Sequence, residues 1–325
     1  MLRTRRCGHE PMNQGTPPEE LPTEVLDDVA SAVRAEVTRV SRLPGGINGG
    51  AVRVQVAGRT DAVLKAAPRA HPHHLDETLR AQRVVEHMRG RGYPTPAWLA
   101  VGATATHVWQ LMDFVDAAPA SELTPSLVEQ LMEIIELQAG QASEPYDHWS
   151  YAWRVATGQE PAAAGRDPDE APEQSRLRRS IAGLSGYSPA VSALVERLRL
   201  VSADVPPPRD APDMVHADLA TPGNVLVVDG TVVAVVDIGN AGSGTRAIDL
   251  ATLVWYCFKD PLLDDVRGRL WTRILDLVGG EGAAVLTAAH TLHMLEFPIR
   301  DGRDDVVPQV VERGHRALDE LDSLR

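Results

Sequence analysis

Apolar residues recur at helical spacing through LPTEVLDDVASAVRAEV, with Thr23 placed as an N-cap and acids in the first turn, so the chain is expected to begin its fold with a helix. Three β-like runs follow, TRVSRLP, AVRVQVA and DAVLKA, separated by the turn-forming stretches GGINGG and GRTD. HHLDETLRAQRVVEHMRGRG returns to helical spacing through Leu75, Leu79, Val84, Val85 and Met88 and stops at Gly90 and Gly92. PTPAWLAVG and HVWQLMDFV then read as two more strands. From ELTPSLVEQLMEIIELQAGQA onward the pattern is mostly helical, ending in RAIDLATLVWYCF, LLDDVRGRLWTRILDLV, GAAVLTAAHTLHMLEF and DDVVPQVVERGHRALDELDSL. The predicted fold class is α+β: a small antiparallel-sheet lobe with one inserted helix over residues 21–115, and a mostly helical lobe over 116–325. Residues 1–20 read as a disordered tail and GQEPAAAGRDPDEAPEQS as an exposed, mobile insertion.

Composition narrows the function classes. At 325 residues with 43% hydrophobic and 24% charged content, the chain can bury a sizeable core. No apolar run is long enough to span a bilayer, and the arginines at the N-terminus have no apolar segment behind them, so neither a membrane nor a secretion signal is expected. Cys7 and Cys257 are the only cysteines, which fits a reducing cytoplasm. The net charge of −13 argues against a nucleic-acid partner, and it is unevenly spread. Residues 1–115 hold 14 lysines and arginines against 12 acids, whereas residues 116–325 hold 18 against 33. The second lobe should therefore attract a cationic small molecule. Oligomeric state stays open between monomer and homodimer.

Lysine usage is more pointed. Lys65 and Lys259 are the only lysines in the chain. Lys65 ends the apolar run DAVLKA, where a long charged side chain is awkward, and lysine gives a compact point charge that an arginine fork does not reproduce. Lys65 is therefore read as chosen for a role, whereas Lys259 needs no more than a charge at a helix C-terminus.

The densest chemistry lies in MVHADLATPGNVLVVDGTVVAVVDIGNAGSG. Two apolar strands flank Asp229-Gly230, a dipeptide suited to a two-residue type I′ hairpin in which 228 pairs with 231 and 224 with 235. Asn224 and Asp237 then share the open end of the hairpin, and Asp218 lies on the loop leading into it. Two carboxylates and a carboxamide are hard oxygen donors suited to Mg²⁺, which keeps waters and binds substrate phosphates. His216 could join Asp218 as a ligand, but no histidine or cysteine follows at ligand spacing, which favours a bracing role. His71, His73 and His74 could bind adventitious metal, though a solvated loop explains them as well.

If phosphates meet a cation here, LPGGINGGAV can hold them. A strand rather than a helix follows it, so it is neither a Walker loop nor a dinucleotide fingerprint. A glycine-rich turn between antiparallel strands can lay the backbone N–H groups of Gly46, Asn48 and Gly49 over phosphates, with Lys65 on the third strand and Glu77 of the next helix as its partner.

In this order the motifs HADLATPGN and VVDIGNAGSG resemble those of the aminoglycoside phosphotransferase and choline kinase-like family, which shares the protein-kinase fold. The resemblance implies that Asp218 is the catalytic base or hydroxyl-orienting group, that Asn224 and Asp237 bind Mg²⁺, and that Asp249 in RAIDLATL braces the catalytic loop. It implies further that QLMDFVDA is the hinge, with the backbone of Asp113 and Val115 holding the adenine of ATP; GTP in place of ATP stays open. Two departures stand out: Ala217 replaces the usual glycine, and Asn224 lies six residues after Asp218 where the family usually has five. The acceptor is expected to be a polycationic antibiotic, an aminoglycoside or basic cyclic peptide, met by Glu296, Asp301, Asp304 and Asp305, with Trp255 and Tyr256 stacking on it. The alternatives are a metabolic kinase for choline, an amino alcohol or a sugar, and an inactive nucleotide-binding regulator. A metal-dependent hydrolase would leave the glycine hairpin and Lys65 unexplained.

Overall fold

The computed structural model describes residues 21–43, 51–142, 146–159, 177, 179–220 and 223–324. The tail over 1–20, Gly46, Asn48, Gly49, the pair Thr221-Pro222 and most of the proline-rich insertion lie outside the described residues. The chain divides into two compact units, one running to Leu75 and taking in Leu99–Phe114, the other comprising Asp76–Trp98 and Val115–Arg325.

The first unit is a five-stranded antiparallel sheet ordered β1-β2-β3-β5-β4, built from β1 (Val37–Arg42), β2 (Ala51–Val56), β3 (Ala62–Pro68), β4 (Trp98–Ala103) and β5 (His107–Asp113). Alternation places Val52, Val54, Leu64, Trp109 and Leu111 on one face, where they bury against Val25 and Val29 of helix α1 (Thr23–Val33). Each fully buried aliphatic side chain there contributes about 1.5–3 kcal/mol, so packing holds α1 in place. Thr23 is the first helical residue rather than the cap. Pro22 occupies the cap position at φ −58°, ψ 140°, and no side chain caps the helix. The Trp109 indole N–H donates to Asp28 Oδ2 at 2.7 Å, and a Cβ on Gly102 would run into the Trp109 ring, which explains a glycine within β4. Lys65, opposite Ala51 and Gln110, points to the sheet face away from α1.

The second unit is mostly helical: α2 (His74–Gly90), α3 (Pro125–Glu136), α4 (His148–Thr157), α5 (Pro189–Ser202), α6 (Ala247–Cys257), α7 (Asp264–Arg300) and α8 (Val307–Leu324). Thr124 and Ser188 cap α3 and α5, each with proline at the first helical position. α7 is broken at Gly279, whose φ of 66° and ψ of 179° are non-helical, which matches the two separate helical patterns in the sequence. Beyond the break, Ala283, Ala284, Val285, Leu286, Ala288, Leu292 and Leu295 are buried where α4, α6 and α8 pack. Among the described residues no helix is long and apolar enough to cross a membrane.

Two small sheets position the site. β7 (Asp213–Val215) pairs with β10 (Gly242–Gly244), and β6 (Ala118–Pro119), β8 (Val225–Val228) and β9 (Thr231–Val235) form a three-stranded sheet. The β8–β9 hairpin turns at Asp229 and Gly230, with φ of 49° and 77°, as a type I′ turn requires. Gln130 of α3 clamps this turn, donating to Gly230 O at 3.0 Å and accepting from Val232 N–H at 2.9 Å. The register differs from the simple two-residue pairing. A one-residue shift after Val227↔Val232 gives Leu226↔Ala234 and Val225↔Val235. The extra residue, Val233, moves Asn224 from opposite Val235 to opposite Val236, whose N–H donates to the Asn224 carbonyl at 2.8 Å.

Candidate active site

The loop after β7 is organised by one buried carboxylate. Asp249, on the first turn of α6 and 0% exposed, accepts the backbone N–H groups of His216 (2.8 Å) and Ala217 (2.9 Å) and the side-chain amide of Gln138 (2.9 Å). Burial pushes its carboxyl up to about 6 against the opposing pull of those donors. The His216 ring is also fully buried. Its Nε2–H donates to the Val236 carbonyl at 3.1 Å while Nδ1 accepts the Asp218 N–H at 3.3 Å. Both ring nitrogens are therefore engaged with backbone, and the partners require the neutral tautomer protonated at Nε2.

This bracing turns the chain sharply. Ala217 sits at φ 70°, in the left-handed region. An alanine there carries about 1–2 kcal/mol of strain. A glycine would remove it, less about 0.4–1 kcal/mol for its greater freedom when unfolded. Ala217→Gly is therefore expected to raise the urea unfolding free energy by about 0.5–1 kcal/mol, and an unchanged or lower midpoint would contradict the strain.

Asn224 completes the cluster. At 8% exposure, its Nδ2 donates to the Asp218 carbonyl at 2.9 Å and to Asp218 Oδ2 at 3.2 Å. The extra residue before it is thus accommodated, with Gly223 at φ 103°. The two donations turn Oδ1 away from Asp218. Asp237, exposed at the end of the hairpin, has φ 68°, which an aspartate tolerates better than most residues. The donor set fits magnesium: oxygen atoms only, in a small number that leaves room for phosphates and water. Among the described residues no group of three His, Cys, Asp or Glu could hold a metal by itself, which includes His71, His73 and His74.

Three supporting residues escaped the sequence reading. Gln138 is 0% exposed and links α3 to Asp249, Arg80 is 7% exposed on α2, and His148 is 7% exposed at the start of α4. Arg80 donates to the carbonyls of Gly239 and Ala241, and His148 Nε2–H to that of Asn240 at 2.7 Å. A buried polar side chain carries no periodic signal, so composition and spacing offered no way to find them.

Burial holds His148 and His216 at about 4, below the ordinary histidine value of about 6.5. On unfolding both regain that value, so between pH 4 and 6 the unfolded chain carries two more imidazole protons. Asp249 acts in the opposite sense, because its native carboxyl is protonated over the same range and the unfolded one is not. One net proton remains from these three groups, which lower stability by about 1.4 kcal/mol per pH unit on acidification from 6 to 4. His290 and His293, pushed by burial to about 3 and 4, steepen this. Urea midpoints that are flat across this range would contradict it.

The remaining positions are placed as follows. Lys65 belongs to the first unit and Glu77 to the second, and both are half-buried. Asp113 closes β5 opposite Ala62, and the carbonyl of Val115 accepts from Ala117 N–H at 2.9 Å. Glu296 is 1% exposed and paired with Arg300 at 3.1 Å, which also holds Asp301 at 3.0 Å. Asp304 accepts the Tyr187 hydroxyl, whereas Asp305 is exposed. Trp255 is 4% exposed, edge-on to His290 at 5.5 Å with Arg313 over its face, so its ring belongs to the core. Tyr256 is half-buried beneath the Lys259 ammonium, 4.7 Å from its ring centroid.

Comparison with known proteins gives the family. The model of the phosphotransferase enzyme family matches residues 39–284. The chain belongs to this family. As a phosphotransferase it transfers a phosphoryl group to a hydroxyl. No curated protein sequence matches it. Among solved structures, aminoglycoside phosphotransferase APH(4)-Ia is similar at 18% identity and a TM-score of 0.58, with 91% of this chain and 98% of that chain covered. A thermostable mutant of that enzyme, in ternary complex with ADP and hygromycin B, gives 17% identity, a TM-score of 0.58 and the same coverage. A proposed fructosamine-3-kinase from Thermobifida fusca gives 22% identity and a TM-score of 0.54, covering 92% of this chain and 99% of that one. At these identities the likeness establishes the fold of this phosphotransferase: protein-kinase-like, with a small antiparallel-sheet lobe and a mostly helical lobe.

Proposed function

We propose that this phosphotransferase moves the γ-phosphoryl group of ATP to a hydroxyl of a small cationic acceptor, a polycationic antibiotic being the leading class, and so confers resistance. The observation that carries the reading is the single cluster at the open end of the hairpin, where Asn224 bonds Asp218 and its carbonyl pairs with Val236 beside Asp237. The acceptor oxygen forms a bond to the γ-phosphorus as the bond to the β–γ bridging oxygen breaks, and ADP leaves. Asp218 takes the hydroxyl proton late in that step, because the transition state is loose and positioning supplies most of the acceleration. Lys65 supplies a point charge for the nucleotide phosphates, and the Asp113–Val115 segment supplies backbone groups for the base. Asn224 Oδ1 and the Asp237 carboxylate would hold Mg²⁺, which neutralises charge on the phosphate oxygens when bound.

The 33 acids against 18 basic residues in 116–325 support a cationic acceptor by long-range attraction. One observation favours a smaller one. Arg300 already neutralises Glu296 and Asp301, and Tyr187 engages Asp304, so fewer acids stand ready for a polycation than their number suggests. A metabolic kinase for an amino alcohol, choline or a sugar is therefore the second reading. An inactive regulator is disfavoured because Asn224 reaches Asp218 despite the extra residue.

The test is mass spectrometry of acceptor panels incubated with the protein, MgCl₂ and ATP. One panel holds aminoglycosides and basic cyclic peptides, the other choline, amino alcohols and sugars. A product heavier by one phosphoryl group in the first panel supports the antibiotic reading, and in the second panel alone the metabolic one. No product in either, with ATP bound, would overturn both.

A further inference from the structure

Asp237 lies at the open end of the hairpin, and the loop that carries it sets its direction. It is exposed and left-handed at φ 68°, ψ 39°, a conformation that aspartate tolerates better than most residues. The residues just after it are held from distant parts of the fold. Three consecutive carbonyls, those of Gly239, Asn240 and Ala241, each accept a side-chain donor from a distant element. Arg80 Nη2 reaches Gly239 O at 3.1 Å, Arg80 Nη1 reaches Ala241 O, and His148 Nε2 reaches Asn240 O between them. The guanidinium also lies over the Tyr146 ring, 4.3 Å from its centroid. Tyr146 in turn accepts Ser243 N–H at 2.6 Å through its carbonyl, and Gly242 passes so close to that backbone that no Cβ fits.

Arginine is an expensive choice for such a position. At 7% exposure its charge is largely removed from water, and burial lowers its proton affinity. Stability alone would be served as well by an apolar side chain of similar volume. What an apolar side chain lacks is a planar fork able to span two carbonyls two residues apart, and a lysine ammonium has the donors but not that fixed fork.

We propose that Arg80 is a positioning residue for Asp237, fixing through the Gly239 and Ala241 carbonyls the backbone that aims this carboxylate at the cation site. The proposal rests on the reading of Asp237 as magnesium-directed. Glu77 stands three residues earlier on the same helix, so one helix carries both the candidate lysine partner and the anchor of the metal-directed loop.

The experiment compares full-length wild type, Arg80→Met and Arg80→Lys. In the first measurement, hydrogen exchange is followed without metal or nucleotide. Peptides covering 237–244 are expected to exchange at least about tenfold faster in Arg80→Met, with α7 and α8 unchanged and Arg80→Lys intermediate. In the second, turnover is titrated with Mg²⁺. The magnesium requirement is expected to rise about 10–100-fold and kcat to fall, while KM for ATP stays within about threefold. Unchanged exchange and an unchanged magnesium requirement in Arg80→Met overturn the proposal. If Arg80→Met does not fold, Arg80→Lys decides by the same two readouts. If neither folds, Arg80 serves stability and the proposal falls. A wild type with no magnesium-dependent turnover overturns the functional reading instead, and the exchange result still decides whether Arg80 holds the loop.

Discussion

Asp218→Asn is expected to lower phosphoryl transfer by about 10²–10⁴-fold, the range for removing a positioned proton acceptor. The substitution keeps the side-chain volume and one oxygen. A simple amide flip lets that oxygen accept from Asn224 Nδ2, as Asp218 Oδ2 does at 3.2 Å. The backbone bonds from Asp218 N–H to His216 and from Asn224 to the Asp218 carbonyl are untouched. The loop should therefore hold its shape, and the thermal midpoint should move by no more than a few degrees. What disappears is the charge and the basicity. KM for ATP should change less than about threefold, since the loss falls in the transition state and not in ground-state binding. Steady-state kinetics with a fixed acceptor would decide, and a kcat within tenfold of wild type would remove Asp218 from the chemistry. Asp237→Asn should behave differently, raising the magnesium requirement first.

Much of this site could be read from the sequence because its signals are local. Asp229-Gly230 announced a hairpin turn, and the turn is there with both residues at positive φ. Alternation placed Lys65 on a strand, and the face it takes follows from Leu64 facing the core. The register was misread because a bulge at Val233 leaves no mark in an apolar run where every residue is Val or Ala. That slip moves Asn224 by one position, enough to pair it with Val236 beside Asp237. The supporting residues were invisible for another reason. Gln138 lies 111 positions from Asp249, Arg80 161 from Ala241 and His148 92 from Asn240. Their roles exist only once the chain is folded, and each side chain alone looks like ordinary surface polarity. The acids near the end of α7 were visible as charge while their partners were not: Arg300 pairs with Glu296 and Asp301, and Tyr187 engages Asp304.

Asp249→Ala is expected to be the most destabilising single change at the site. It strands three N–H groups, from His216, Ala217 and Gln138, in a region where Asp249, His216 and Gln138 are all 0% exposed. At about 1–3 kcal/mol for each unsatisfied buried donor, the loss is about 3–9 kcal/mol, set against a native stability of about 5–15 kcal/mol. The variant should sit at the edge of folding. Asp249→Asn keeps one acceptor and turns its amide toward a donor, so it should lose roughly half as much. It also isolates the charge. With its carboxyl pushed up to about 6 by burial, Asp249 is protonated in the native state between pH 4 and 6 and cancels one of the histidine protons gained on unfolding. Removing it ends that cancellation. The acid slope of Asp249→Asn should therefore be steeper than that of wild type by about 1.4 kcal/mol per pH unit, measured by urea midpoints from pH 6 to 4. An unchanged slope would mean that Asp249 stays ionised, held by its three donors, and that it braces the loop as a carboxylate throughout this range.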